Sequence, residues 1–122
     1  MSKQLLCFII ENNKLFLDRI LVSFNDTPIL FICQDERKNY YLVQCSSLEN
    51  LEYIVEKQNI ENLLMLLTKQ KSLRSTLLDC DYFWEVKAGN DIKEDIITRK
   101  NIAEIDYLIL PAEDVFYDKT IN

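Results

Sequence analysis

Histidine is absent from these 122 residues, and glycine occurs only once. Without histidine, Ser–His and Cys–His nucleophile pairs and His-ligated metal sites are excluded. The single glycine, Gly89, excludes a Walker loop and a dinucleotide fingerprint, because both need several glycines beside a phosphate. Enzymes without histidine exist, but they lack the usual proton shuttle at neutral pH. We therefore expect no cofactor and favour a non-enzymatic role.

Long apolar runs and paired cysteine motifs are also missing. The four cysteines show no C-x-x-C spacing, so reduced thiols and a cytoplasmic location are expected. No apolar run approaches the length of a membrane span, and we expect no membrane partner. Residues 4–10 lack the basic leader and the small-residue cleavage site of a signal peptide.

The charge is acidic. Twenty carboxylates against fourteen Lys and Arg give a net charge of −6, which argues against direct binding of nucleic acid. A DNA mimic would need its carboxylates on one face, and lysines interrupt them along the chain. This negative charge permits a basic protein partner, and a homo-oligomer is also compatible with the sequence. A chain of this length suits one domain, residues 1–122, with its own core.

The segment 28–45 predicts a β-hairpin around which the rest is organised. Apolar, β-branched and aromatic runs at 29–33 and 40–45 flank a polar link. A turn at 35–39 places Phe31 opposite Val43 and Cys33 opposite Tyr41. Both faces of this hairpin are then largely apolar, so it should lie in the middle of a sheet with something packed on each face.

The remaining pattern predicts an α+β fold. Apolar residues at helical spacing indicate helices at about 59–70 and 72–79, with Asn59 and Ser72 as their N-caps. We expect these helices to cover a mainly antiparallel sheet of about five to seven strands. In strand 82–88, Trp84 should point inward and Phe83 outward. The further predicted strands are residues 3–10, for which a short helix fits nearly as well, 15–24, 51–56, 95–98 and 105–110.

The tail, residues 112–122, combines acidic and aromatic side chains. In protein contact patches aromatic rings anchor the partner and charges steer it. The pattern predicts a partner-binding surface, and the alternative is that Phe116 and Tyr117 only pin the C-terminus onto the domain. The predicted contact residues are Glu113, Asp114, Phe116, Tyr117 and Asp118.

A second arrangement is similar to the carboxylates and lysine of metal-dependent nucleases. Asp79 and Asp81 precede Glu85-x-Lys87, and such residues can hold Mg²⁺ and steady an attacking water. An ordinary surface ion pair explains Glu85 and Lys87 more simply. Cys80 lies between the two aspartates, whose charges disfavour its thiolate and make it a poor nucleophile.

Several turn and strand residues resemble an uncharacterised family of small bacterial domains. That family has a Y-D-G-P-x-L-F turn and strand followed by a Y-L-V strand. Here Phe24 replaces the tyrosine and Thr27 the glycine. The resemblance implies an architecture and a bacterial or phage origin, and no particular activity. The matching runs are Phe24-x-Asp26-x-Pro28-x-Leu30-Phe31, Tyr41-Leu42-Val43 and Leu110-Pro111-x-Glu113-Asp114-x-x-Tyr117.

Together these observations favour a non-enzymatic protein-binding module. We expect an immunity-type neutraliser, a counter-defence inhibitor, or a small subunit of a defence or toxin assembly. It would act by steric masking or by assembly through its acidic and aromatic surface. The alternative from a different class is the metal-dependent nuclease.

Overall fold

The structure, a computed structural model, describes residues 4–118, so residue 3 of the first predicted strand and residues 119–122 of the tail lie outside it. One antiparallel sheet of seven strands follows chain order, with two helices between the fifth and sixth strands. The predicted α+β class is confirmed. The elements are β1 (Leu6–Ile10), β2 (Asn13–Phe24), β3 (Thr27–Asp35), β4 (Tyr40–Ser47), β5 (Glu52–Gln58), α1 (Ile60–Leu67), α2 (Leu73–Leu78), β6 (Tyr82–Lys87) and β7 (Ile96–Asn101).

The central hairpin has the predicted register. Phe31 lies opposite Val43, and Cys33 lies opposite Tyr41. Side chains alternate between the faces of a strand, so this register sends Phe31 and Cys33 to one face and Ile32 to the other. All three are buried. The hairpin therefore contributes to a core on each side of the sheet.

Asp35 holds the turn of this hairpin. Its Oδ1 accepts hydrogen bonds from the backbone N–H of Arg37 (2.9 Å) and of Asn39 (3.0 Å). Its Oδ2 accepts one from the Tyr41 hydroxyl at 2.8 Å. Burial opposes the charge, but hydrogen bonds from Asn39 and Tyr41 outweigh it and hold the pKa of Asp35 below its usual value. An ionised Asp35 thus fixes the turn to the strand that follows it.

The sheet separates two cores. The helix-side core joins strand residues to the two helices and to the C-terminal segment, and the inner core joins β1 to the middle strands and β6. The helix-side core contains Leu21, Leu30, Ile32, Leu42, Ile54, Leu63, Leu66, Leu73, Leu77, Phe83, Ile105 and Leu110. The inner core contains Phe8, Ile10, Leu15, Phe31, Cys33, Tyr41, Val43, Val55, Trp84 and Val86.

The sheet is strongly curled, so that its first turn reaches its sixth and seventh strands. Glu11, between β1 and β2, accepts a hydrogen bond from Trp84 Nε1 at 2.8 Å and lies 3.7 Å from the Arg99 guanidinium. Three register shifts interrupt the pairing of β2 with β3. Bulges of this kind bend a strand and increase its twist, which lets the inner face close around its own core.

Two sequence-based expectations are wrong. Residues 105–110 form no strand; they contain a 3₁₀ turn at Tyr107–Ile109, and another precedes them at Ile102–Glu104. The side chains of Asn101 and Asp106 accept hydrogen bonds from the backbone two residues ahead, and this local bonding competes with a sheet ladder. Phe83 does not point outward: it is 2% exposed, because the helices cover that face of β6.

A carboxyl group is buried in the helix-side half of the molecule. Glu56 on β5 is 0% exposed. Gln58 Nε2 donates to Glu56 Oε1 (3.1 Å) and to the carbonyl of Thr76 in α2 (3.0 Å). Among the described residues, Glu56 Oε2 accepts no hydrogen bond of normal geometry, and the nearby Cys80 thiol donates to Leu77 O. Burial raises the pKa of Glu56 to about 8.

We predict that Glu56→Gln stabilises the protein above neutral pH. The ordinary pKa of Glu is 4.5, and the pKa of Glu56 in the folded protein is about 8. Between these two pH values the unfolded chain has lost the Glu56 proton, whereas the folded chain keeps it. The free energy of unfolding then falls as pH rises, by up to ~1.4 kcal/mol per pH unit. Glu56→Gln removes this slope. At about pH 8 its free energy of unfolding should therefore exceed that of the wild type by a few kcal/mol, and it should unfold at a higher urea concentration.

The control is Glu36→Gln, a change at an exposed turn residue that should keep the slope of the wild type. Urea titrations at about pH 5 and about pH 8 provide the measurement, with the difference between variants largest at the higher pH. Equal pH slopes for the wild type and Glu56→Gln would contradict the buried neutral carboxyl.

Candidate functional site

The C-terminal segment, residues 102–118, crosses the helix-side core. Its residues Ile105 and Leu110 are buried in that core, at 5% and 9% exposed. Gln44 of β4 donates from Nε2 to the carbonyl of Ile109 at 2.7 Å. These contacts hold the segment on the sheet, beside the helices, and give its remaining side chains fixed positions.

The start of α2 holds the same segment from the other side. The backbone N–H of Leu73 donates to the carbonyl of Val115 at 2.9 Å. Arg74 donates from Nη1 to the carbonyl of Pro111 at 3.5 Å, and its guanidinium lies 5.2 Å from the centre of the Tyr107 ring. Two adjacent residues of α2 thus reach three separate parts of the segment, so Tyr107 and Val115 both flank the start of this helix.

Three of the five residues predicted to bind a partner face solvent. Glu113 and Asp114 are exposed, and Phe116 is 43% exposed. None of the ion pairs among the described residues uses either of the two carboxylates. The predicted combination of acidic and aromatic groups is therefore present at the surface.

The other two predicted residues are engaged with the domain. Tyr117 is half-buried and packs against the helix-side core. Asp118 is half-buried and lies 3.5 Å from Lys69, just after α1. The alternative that the aromatic residues pin the tail therefore applies to Tyr117, while Phe116 remains outside.

Sequence reasoning missed two residues of this surface. Tyr107 is 55% exposed and Leu108 is 93% exposed, although both fall in the stretch predicted as a strand. The available signal was Asp106, a residue type that caps turns, directly before them. We call Tyr107, Leu108, Glu113, Asp114, Val115 and Phe116 the C-terminal patch.

An apolar groove of about 260 Å³ lies beside the C-terminal patch. Side chains of β2, β3 and β4 line one side, and Leu73, Pro111 and Val115 line the other. Val115 is also 39% exposed, so the patch and the groove are continuous at this residue. The groove offers room for an apolar side chain next to exposed apolar and acidic groups.

Two of the three alternative metal-binding residues, Asp79 and Glu85, are paired with lysines, and the third, Asp81, is exposed. Lys71 donates to Asp79 and holds the pKa of this carboxyl below its usual value. Glu85 on β6 lies 3.2 Å from Lys100 on β7, whereas Lys87 is exposed.

Within residues 4–118, the structure shows no group of three or more His, Cys, Asp or Glu side chains placed to hold a metal ion.

All four cysteines are free thiols. Cys80 has the expected low acidity: burial, with the nearby Glu56 and the flanking aspartates, raises the pKa of its thiol to about 12. Burial also raises the pKa of Cys45, and Cys33 is fully buried. A thiol with a raised pKa is a weak nucleophile at neutral pH.

Comparisons with protein-family models, with curated proteins and with solved structures found no match to this chain. The resemblance to small bacterial domains therefore stays a prediction. Among residues 4–118, no helix combines the length and the apolar character needed to cross a membrane.

We predict that Tyr117 and Phe116 differ in their contribution to stability. Tyr117→Ala removes a ring that packs on the helix-side core and should lower the free energy of unfolding by ~1–3 kcal/mol. Phe116→Ala removes a largely solvent-facing ring and should change it by less than ~0.5 kcal/mol. Urea denaturation of both variants provides the measurement. A larger loss for Phe116→Ala would show that Phe116 is a structural anchor.

Proposed function

We propose that this chain is a non-enzymatic protein-binding module that presents the C-terminal patch and its groove to a partner protein. The observation that carries this proposal is a set of exposed apolar side chains on a hydrogen-bonded segment beside an apolar groove. Leu108, at 93% exposed, would bury almost its whole side chain against a partner. Exposed apolar side chains next to a groove are a common feature of interaction sites.

The contacts beneath the patch hold its backbone in a defined position. Backbone and side-chain hydrogen bonds from Gln44, Leu73 and Arg74 fix the segment. A partner would therefore meet a preorganised surface and would not have to order it, which lowers the entropic cost of association. An apolar anchor of the partner would fill the groove, and Phe116 would cover its rim.

The charge of the patch indicates the chemistry of the partner. Glu113 and Asp114 are exposed, while the nearby cations Arg74 and Lys69 are engaged with Tyr107 and Asp118. The net charge of −6 extends the negative field beyond the patch, and such a field steers a basic partner toward it. We therefore infer a partner segment with Lys or Arg next to an apolar anchor.

A module of this kind acts by covering a working surface of its partner or by joining subunits. Within that class we propose a cytoplasmic immunity-type neutraliser, a counter-defence inhibitor or a small subunit of a defence or toxin assembly. The acidic patch suits a basic target such as a nucleic-acid-binding toxin or effector. The resemblance to small bacterial domains is consistent with a bacterial or phage origin.

We predict that reversing the charge of the patch weakens partner binding. The wild type, tagged and immobilised, captures proteins from the source cells, and mass spectrometry identifies them. The candidate partner is then purified and titrated against variants. Glu113→Lys with Asp114→Lys should raise Kd by about 10-fold or more at low salt, with a smaller difference at high salt. Phe116→Ala should raise Kd about 10-fold with little salt dependence.

The matched control is Glu49→Lys, a charge reversal at another exposed position. It should leave Kd within about 2-fold, since exposed charges outside the contact are screened by salt. Capture alone does not support the proposal. Equal Kd values for the wild type, the double variant and Phe116→Ala would refute it.

A further inference from the structure

Two of the four cysteines meet on the inner face of the sheet. Cys7 lies on β1 and Cys33 on β3, with β2 between these strands. Cys33 belongs to the inner core, and Cys7 packs against that core. The carbonyl of Leu5 lies 3.7 Å from the Cys7 sulfur and accepts a hydrogen bond at 2.8 Å from the backbone N–H of Leu17. Leu17 is directly opposite Cys33, so the two thiols are neighbours across β2.

A β-bulge turns Cys7 toward the inner face. The pairing of β1 with β2 steps from Leu6 opposite Phe16 to Phe8 opposite Leu15, so Cys7 is the extra residue on β1. Adjacent residues of a regular strand point to opposite faces, yet Phe8 lies in the inner core and Cys7 packs against the same core. Bulges re-aim side chains in this way, and here the bulge directs a thiol toward Cys33.

The contact between the two thiols makes their acidities unequal. Hydrogen bonding with the Cys33 thiol holds the pKa of Cys7 below its usual value, although burial opposes it. The same hydrogen bond, together with burial, raises the pKa of Cys33. Burial raises the pKa of Cys45 as well, and burial with nearby carboxylates raises the pKa of Cys80 to about 12. Cys7 therefore has the largest thiolate fraction of the four at neutral pH, and the thiolate is the reactive form.

Cys7 is also within reach of a small oxidant. It is half-buried and lines a surface cleft of about 360 Å³ between β1 and residues 88–95. Cys33 is 0% exposed, so a solute that enters the cleft meets Cys7 first. An accessible cysteine of low pKa beside a second cysteine that can react with its oxidised form is the arrangement of redox-sensing thiols.

We propose that Cys7 and Cys33 are a reversible redox pair that hydrogen peroxide converts into a disulfide. The Cys7 thiolate attacks one peroxide oxygen and the O–O bond breaks. Cys7 becomes a sulfenic acid, and the hydroxide that leaves takes up a proton. The Cys33 sulfur then attacks the Cys7 sulfur, the S–O bond breaks, and the Cys33 proton leaves with the hydroxyl group as water. Two thiols and one peroxide thus give a disulfide and two waters.

Formation of the disulfide requires β1 to move toward β3. Strands two apart in a flat sheet are ~9.5 Å apart, whereas bridged cysteines have Cα atoms ~4.4–6.8 Å apart. The pairing of β2 with β3 shifts between Leu17 and Arg19, so β1 and β2 both carry irregularities beside the pair that bend the sheet. β1 is an edge strand of five residues in the described sheet. Oxidation would therefore tie this edge strand to the central hairpin and change the shape of the cleft beside it.

We predict that peroxide links the tryptic peptides 4–14 and 20–37. The reduced protein is treated with hydrogen peroxide, remaining thiols are blocked with iodoacetamide, and the peptides are analysed by mass spectrometry without reduction. Trypsin places each cysteine in a different peptide, so the linked pair is identified directly. The chain should lose about 2 Da, and dithiothreitol should restore both thiols. In the reduced protein at about pH 7, iodoacetamide should react with Cys7 at least about 10-fold faster than with Cys45.

Cys33→Ala removes both the second thiol and its hydrogen bond. Peroxide should then leave a sulfenic acid at Cys7 that dimedone labels, and alkylation of Cys7 should slow by about 3-fold or more because its pKa rises. The matched controls, Cys45→Ser and Cys80→Ser, should form the linked peptide at the wild-type rate. If Cys33→Ala does not fold by circular dichroism, the wild-type peptide analysis decides alone. A link between any other cysteines, a link between chains, oxidation of Cys45 before Cys7, or unchanged thiols after peroxide would overturn the proposal.

Discussion

Burial of the central hairpin on both faces is the constraint on which the structure depends. β3 and β4 send Phe31 and Val43 into the inner core and Ile32 and Leu42 into the helix-side core. A one-residue slip would exchange the two sets of side chains, so the register must be fixed. Asp35 fixes it, because one buried carboxylate bonds both the turn and the following strand.

Covering two faces with one short chain requires two different solutions. The inner face is covered by the sheet itself, which curls until Glu11 contacts Trp84 and Arg99. The other face is covered by α1, α2 and the C-terminal segment. Each solution leaves an incomplete boundary: the cleft where β1 approaches residues 88–95, and the groove where the C-terminal segment meets β2–β4. The groove beside the C-terminal patch is therefore a consequence of how the helix-side core is closed.

The candidate patch was partly predictable. The tail pattern identified Glu113 and Asp114 as surface residues because charged groups resist burial. It could not distinguish Phe116 from Tyr117. Both are aromatic and adjacent, and only the path of the segment over the core decides which ring is buried. Leu108 was missed for a related reason. Its apolar neighbours Ile105 and Leu110 are buried, and the periodicity does not reveal that Asn101 and Asp106 break the run into turns.

The sequence by itself determined the α+β class, the hairpin register, both helices and the acidic surface, because strand alternation, helical spacing and capping residues are local signals. Only the tertiary structure decided the curl of the sheet, the burial of Glu56 and Phe83, and the meeting of Cys7 with Cys33. These features depend on contacts between segments far apart in the chain. The packing that stabilises them involves residues that no short stretch of sequence contains together.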